Sequence, residues 1–280
     1  MAPAGVPDAL EALGAESSVV LAGGTSIGLL LGQALIEPST LVWLGRIPSL
    51  REVAVEDDRI RIGATVTVRE LARHPVVRSR LPAVATAAGS VGNPRIRAVA
   101  TVGGALGHAD PRQDLPPALA ASGATVEIAG PGGTRRVDVA RLATGLMETV
   151  VAPDELITGV DIPLPEAARG VYLRFTPASA ADWPTVSAAA VSRRGPDGIV
   201  TDVSLALGGV GPTVLTVPEA GELKGSVAPS EEDIRAVADA AGRRCDPVAD
   251  RLGSAAYKRA MAAVWARRAL QACLEGAGRS

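Results

Sequence analysis

Cysteine, histidine and aromatic residues are scarce in this 280-residue chain, and each scarcity removes a class of chemistry. Cys245 and Cys273 are the only cysteines, far apart and in no C-x-x-C pair. The chain alone therefore offers neither an iron–sulfur cluster nor a four-cysteine zinc site. Two histidines, His74 and His108, argue against a His-rich metal site. Any redox function must then rest on an organic cofactor. Aromatics are 2% of the residues, so the 47% hydrophobic fraction has to build a core from Ala, Val, Leu and Ile. A basic block is also missing: 28 Lys and Arg face 30 Asp and Glu, for a net charge of -2. Nucleic-acid binding has little electrostatic support on that balance. Lys224 and Lys258 are the only lysines, a preference for Arg that reads as genomic bias. No apolar run reaches the roughly 18 residues that span a bilayer, so no membrane span is expected. Met1 to Leu10 carries Asp8 and prolines in place of a charged head and apolar stretch, which argues against a signal peptide. A cytoplasmic protein is the default expectation.

The length suits one large domain or two modest ones. Ser18–Ala22 is a short apolar run ending at Gly23-Gly24, which predicts a buried strand entering a tight turn. A buried helix is expected over Ile27 to Ile36, weakened by Gly28 and Gly32. Leu41–Leu44, Glu52–Val55 and Arg59–Val66 read as strands, Val84–Ser90 and Leu115–Ser122 as alanine-rich helices. Ala124–Ala129 and Arg135–Val139 form a predicted hairpin around Gly130-Pro131-Gly132-Gly133. The texture changes at Pro163-Leu164-Pro165-Glu166, where a domain boundary is expected. Three strand-like runs follow, Val171–Thr176, Thr185–Ser192 and Ile199–Leu207, the last two joined by a turn at Arg194 to Gly198. Two helices close the chain, one capped by Ser230 with Asp233 reaching back. The other runs from Ser254 to about Leu274 with Met261, Val264 and Leu270 on its apolar side. The second half thus reads as an antiparallel sheet with helices packed on it.

Two glycine pairs stand out. Leu21-Ala22-Gly23-Gly24-Thr25-Ser26-Ile27-Gly28 joins a strand to a helix, and Thr101-Val102-Gly103-Gly104-Ala105-Leu106 precedes His108, Asp110 and Asp114. Paired glycines let successive N–H groups turn toward one point, and a helix start behind them favours a pyrophosphate. Thr25 and Ser26 would add hydroxyl donors. Plain turn chemistry is the alternative for both loops. Neither is a G-x-G-x-x-G or a P-loop.

The segments VVLAGGTSIGLLL, NPRIRAVATVGGALGHADPRQDLPPAL and LALGGVGPT, with the closing DPVADRLGSAAYKRAMAAVWARRAL, occur in order over roughly Ser17 to Ala272. In these the chain resembles the medium, FAD-binding subunit of the molybdenum hydroxylases, the xanthine dehydrogenase and carbon monoxide dehydrogenase family. The resemblance implies an α+β protein. A two-lobed α/β FAD-binding domain, vanillyl-alcohol-oxidase-like, would occupy residues 1–165, with lobes of about 1–55 and 56–165. A smaller C-terminal domain of antiparallel sheet and helices would take 166–280.

By the same resemblance, FAD is the cofactor and Leu21 to Ile27, that is Leu21, Ala22, Gly23, Gly24, Thr25, Ser26 and Ile27, hold its pyrophosphate. Thr101, Gly103, Gly104 and Ala105, with Val91, form a second wall. Asp114 falls where the family sets a carboxylate on the cofactor, though it also reads as a cap for the next helix. Leu156 would pack near the adenine, and Arg174 stands where relatives commonly carry a Lys near the ring. Trp183 follows Asp182 where relatives place an aromatic beside the isoalloxazine, with ordinary packing as the alternative. Trp265 reads as core, His74 as a surface residue, and His108 as a hydrogen-bonding member of its loop. Ala105 replaces the Asn or Ser usual in the family, removing one side-chain hydrogen bond to the cofactor. The implied partners are a large subunit with a molybdenum cofactor and a small [2Fe–2S] subunit, between which and a final acceptor the flavin passes electrons. A stand-alone flavoenzyme of the same fold, or a flavin-free structural relative, remains an alternative reading.

Overall fold

The computed structural model describes residues 1–177 and 179–275. Its first lobe is small. Helix α1 (Val6–Leu13) precedes β1 (Ser18–Leu21), and helix α2 (Ile27–Gly32) carries the chain over to β2 (Thr40–Trp43). β1 and β2 pair in parallel, Ser18 opposite Thr40 and Leu21 opposite Trp43. A parallel pair demands such a crossover. The expected helix to Ile36 stops at Gly32, and Ala34 takes a left-handed conformation at φ 52°. None of the residues of α2 is buried, so no packing energy extends a glycine-interrupted helix.

The second lobe is a five-stranded antiparallel sheet. Its strands are β3 (Val53–Val55), β4 (Arg59–Gly63), β5 (Thr125–Gly130), β6 (Gly133–Asp138) and, later in the chain, β9 (Leu156–Pro163). The spatial order is β3-β4-β9-β5-β6. Between β4 and β5 run α3 (Val68–Arg73), α4 (Pro75–Arg80), α5 (Pro82–Ser90), α6 (Pro94–Arg97), α7 (Val102–His108) and α8 (Leu115–Ala121). Between β6 and β9 lie α9 (Val139–Leu142) and a small hairpin, β7 (Ala143–Gly145) and β8 (Glu148–Thr149). Strand alternation sorts the two faces. Ile60, Ile62, Val126, Ile128, Val160 and Ile162 point under the helices and are fully buried. The opposite face carries Arg61, Glu127, Arg136 and Asp161 as a charged ladder. Arg61 Nη1 donates to Glu127 at 3.0 Å, and Arg136 lies 3.4 Å from Asp161.

A second antiparallel sheet follows, β10 (Ala168–Phe175), β11 (Val186–Arg194), β12 (Val200–Gly208) and the short β13 (Leu215–Thr216), in that spatial order. Helix α11 (Ala255–Leu274) covers one face, and α10 (Glu231–Arg244) packs on α11 and shares that core. Helices α5 and α8 cover the other. β11 is therefore buried on both sides. Val186, Ala188 and Ala190 pack under α11, while Ala189 turns to the larger core. β10 divides the same way: Val171 and Leu173 face α11, and Tyr172 faces α8. The capping box of Ser230 and Asp233 is present. On α11 the buried seam is Ala262, Ala266, Ala269, Leu270 and Cys273, with Met261 and Val264 only half-buried. Alanines win that seam because a sheet already crowded from both sides needs close approach. Trp265 is likewise half-buried and packs against the core beneath α11. It stacks on Phe175 with ring centroids 5.8 Å apart, under the Arg268 guanidinium. His74 joins α3 to α4 and is half-buried, its Nδ1 buried without a partner, in contrast to the expected surface position.

The Arg61 hydrogen bond holds the Glu127 carboxyl below the usual carboxylate range, assisted by Thr158 and Arg136 against a burial effect of opposite sign. A depressed native value stabilises the fold above the unfolded value of about 4.3, and that contribution is lost as pH falls through the native value. Urea unfolding at about pH 6 and about pH 3 tests this. Glu127→Gln should lower stability at the higher pH and cost little at the lower one. A deficit of equal size at both would show that the ladder carries no ionic contribution.

Candidate cofactor site

Two loops meet at the junction of the first two lobes. Leu21 ends β1, and Ala22 to Ser26 form a half-buried turn into α2, whose first residue is Ile27. Gly24 sits at φ 73°, a conformation that costs a side-chain-bearing residue. Gly23 is required for a different reason. A Cβ there would lie 1.9 Å from the Val99 carbonyl oxygen and 3.1 Å from the Ala100 Cα, so the first loop rests directly on the chain leading into the second.

The two loops use their amides differently. Among the described residues, no N–H from Gly23 to Ser26 donates to a backbone carbonyl. Ser26 occupies the cap position of α2 without a side-chain bond, and the Thr25 hydroxyl likewise has no protein partner there. The turn thus offers a row of uncommitted donors in front of a strand end, a nest suited to phosphate oxygens. In the second loop the donors are committed. Val102 N–H donates to Val66 at 3.0 Å, Gly103 N–H to Ala64 at 2.8 Å, and Ala105 N–H to Thr101 at 2.9 Å. Gly104 N–H donates to the Thr101 hydroxyl at 3.1 Å, which caps α7. Gly103 is buried against Ala64, where a Cβ would meet the Ala64 methyl at 2.6 Å. This loop is a rigid wall, with the Thr101 hydroxyl hydrogen and the exposed Gly104 backbone left for a ligand.

A second cluster lies beyond the other end of α7, a seven-residue helix covering roughly 10 Å. Asp114 stands at the cap position of α8 but makes no capping bond, which overturns the cap reading. Its carboxylate instead accepts from Tyr172 Oη at 2.6 Å and pairs with Arg174 Nη1 at 3.1 Å. Tyr172 and Arg174 are two apart on β10 and so share a face. Burial pushes the Asp114 carboxyl upward, opposed by Tyr172 and Arg174. Burial and the neighbouring Asp114 raise the Tyr172 phenol far above its ordinary value. Arg174 also donates to the carbonyls of Ser90 and Asp182. Ser90 ends α5 beside Val91, whose own carbonyl accepts from Arg97 at 2.9 Å. Trp183 follows Asp182 in the β10–β11 connection. It is 47% exposed, so ordinary core packing does not explain it, and Arg112 stands 5.7 Å from its ring centroid. Thr185, buried beside this cluster, carries a hydroxyl without a partner, and the equally buried Ser187 hydroxyl faces the Tyr172 phenol.

The remaining predicted residues fall elsewhere. Leu156 is buried at the start of β9 in the first-lobe core with Val42, Leu44, Ile47 and Leu50. His108 ends α7 half-buried and makes no side-chain hydrogen bond among the described residues, against the expected role. Tyr172 and Arg112 were not among the sequence candidates. A signal existed for Tyr172, one of two tyrosines, placed two residues before Arg174. None existed for Arg112, one Arg among many. Among the described residues no group of three or more His, Cys, Asp or Glu could hold a metal ion.

Comparison with known proteins places these features. Residues 1–165 match the model of the FAD binding domain in molybdopterin dehydrogenase, and residues 172–273 that of the CO dehydrogenase flavoprotein C-terminal domain. The chain is 32% identical to the carbon monoxide dehydrogenase medium chain of Hydrogenophaga pseudoflava, over 97% of this chain and 95% of that one. It is 31% identical to the nicotine 6-hydroxylase medium subunit of Paenarthrobacter nicotinovorans, over 96% and 94%. Its fold superposes on the H. pseudoflava carbon monoxide dehydrogenase structure with a TM-score of 0.92 at 33% identity, covering 97% of this chain and 95% of that one. Quinoline 2-oxidoreductase of Pseudomonas putida gives a TM-score of 0.91 at 28% identity, covering 99% and 97%.

The contact at Gly23 yields a paired test. Gly23→Ala must part the two loops and should cost about 1–3 kcal/mol in urea unfolding. Gly28→Ala, whose Cβ would meet nothing within 4 Å, should be neutral or stabilising by up to about 1 kcal/mol. Equal effects would contradict the close approach.

Proposed function

The chain belongs to the FAD-binding medium subunits of the molybdenum hydroxylases, and from that premise we propose how its residues hold the cofactor. The carrying observation is the row of uncommitted amides and hydroxyls from Gly23 to Ser26 beside the Val99–Ala100 chain. These donors hold the FAD diphosphate. Thr101 and Gly104 form the facing wall, and the cluster of Val91, Asp114, Arg174 and Trp183 bounds the flavin end. Bound FAD supplies two-electron and one-electron transfer, which no side chain of this protein supplies. The protein's part is to hydrogen-bond the diphosphate, fix the cofactor's direction and limit water at the ring. Trp183, exposed on one side and under Arg112 on the other, is a lid for an aromatic ring.

The domain division follows the same reading, with a cofactor domain to residue 165 and a C-terminal domain from 166. Carbon monoxide dehydrogenase and nicotine 6-hydroxylase name their relatives medium chain and medium subunit, components of multi-subunit enzymes. In such an assembly this subunit takes electrons from a [2Fe–2S] partner, reduced in turn at a molybdenum-cofactor partner, and delivers them to an acceptor. That assembly fits a cytoplasmic setting, and no described helix is long and apolar enough to cross a membrane.

Titration of the flavin-free protein with FAD, followed by flavin absorbance and fluorescence, tests the assignment. The wild type should take up FAD, and Ser26→Asp should weaken binding roughly tenfold or more by setting a carboxylate against the diphosphate. A wild-type protein that stays colourless after incubation with FAD overturns the reading. Equal affinity in Ser26→Asp moves the diphosphate away from this loop.

A further inference from the structure

We propose that Arg174 is a positioning residue that fixes Trp183 at the edge of the cofactor site, and that it does so by tying together three segments distant in sequence. Its guanidinium, only 12% exposed, meets the carbonyl of Ser90 at the end of α5, the carboxylate of Asp114 at the start of α8, and the carbonyl of Asp182 immediately before Trp183. A planar fork with five donors can serve three acceptors at once, whereas an ammonium is a single point on a flexible stem. The base of the fork is itself fixed. Arg174 lies on β10 opposite Ser187 of β11, and Tyr172 on the same face holds the Asp114 carboxylate from its other side.

Among the described residues little else holds the Trp183 side chain, although two residues on the Thr185 N–H donates to the Phe175 carbonyl at 2.8 Å. The ring is 47% exposed, and its cation–π neighbour Arg112 is itself 40% exposed, a setting in which such a contact is weak. Asp182 N–H donates to the Ser179 carbonyl at 3.1 Å, which shapes the turn locally but ties it to no other element. The Arg174–Asp182 bond is the link that carries the turn back to α5 and α8. Nη1 and Nη2 of Arg174 are engaged with protein while Nε is buried without a partner, and it is through the placement of Trp183 that the engaged donors act on the flavin. The consequence for the cofactor rests on the flavin reading above, while the placement of Trp183 does not.

The test uses a Trp43→Phe, Trp265→Phe background, in which Trp183 is the only tryptophan emitter. Two variants are compared within it: Arg174→Lys, and Arg174→Met combined with Asp114→Asn, the pair being changed together so that no unpaired buried carboxylate remains. Without FAD, both should show red-shifted Trp183 emission and a steeper acrylamide-quenching slope, more so in the double change. With FAD, quenching of Trp183 by the flavin should fall, and the Kd should rise roughly tenfold, the loss expected for one ordered contact. A residue that served stability alone would lower the melting temperature and leave the Trp183 emission and the FAD Kd unchanged. If the double variant fails to fold, Arg174→Lys decides. Wild-type emission in folded Arg174→Lys overturns the inference whether or not FAD binds. A wild type that takes up no FAD sinks the flavin reading and leaves the emission comparison to judge Arg174.

Discussion

A carboxylate removed from water must find donors, and the search of Asp114 for donors organises the centre of this molecule. Leaving such a group unpartnered costs several kcal/mol, and the partners must arrive with good geometry. Tyr172 and Arg174 supply them from β10, which belongs to the second sheet, while Asp114 belongs to the helices over the first. The joint therefore ties β10 to the start of α8. Through Arg174 it also reaches Ser90 and Asp182, so the same buried charge bears on the segments around the candidate flavin end.

The scarcity of aromatics is resolved by close packing of small residues around β11. Ala188, Ala189 and Ala190 are fully buried, with α11 on one side and α5 and α8 on the other. Small side chains let three layers approach, and dispersion over many short contacts takes the place of a few large rings. The few aromatics therefore carry only a small part of the core, Tyr172 within it and Trp265 against it. Trp183 stands at the surface, Trp265 and Phe175 stack on one another at a sheet edge, and Tyr172 serves as a hydrogen-bond donor to a buried acid.

In the proposed diphosphate site the two glycine loops divide the work. Both have paired glycines, yet only the first keeps its amides uncommitted, ahead of a helix α2 none of whose residues is fully buried. The second loop uses its amides to start α7 and to hold Ala64 and Val66, which makes it a fixed surface. Contact between Gly23 and Val99 joins an adaptable cradle to a rigid wall. For a diphosphate, that combination supplies donors without the reorganisation a wholly mobile loop would demand.

The sequence by itself determined the local elements and the family. Alternation in Arg59–Gly63, the Gly130–Gly133 turn, the Ser230 capping box and the order of the glycine motifs are short-range signals that survive without a fold. Where a boundary moved, as at Gly32 or on the seam of α11, the deciding term was what packs against the segment, which no local pattern records. The candidate site was legible in its loops only through the ordered motifs that resemble the family, since a glycine pair at a strand–helix junction reads equally as a plain turn. Its flavin end was less so. Asp114 reads equally as a helix cap until Tyr172 and Arg174, about sixty residues later, are brought to it by β10. That Arg174 serves two carbonyls as well as a carboxylate, and that Trp183 stands half in water under Arg112, were decided by tertiary structure alone. Hydrogen bonds and desolvation act through space, and a chain written in one dimension specifies them only through the fold it adopts.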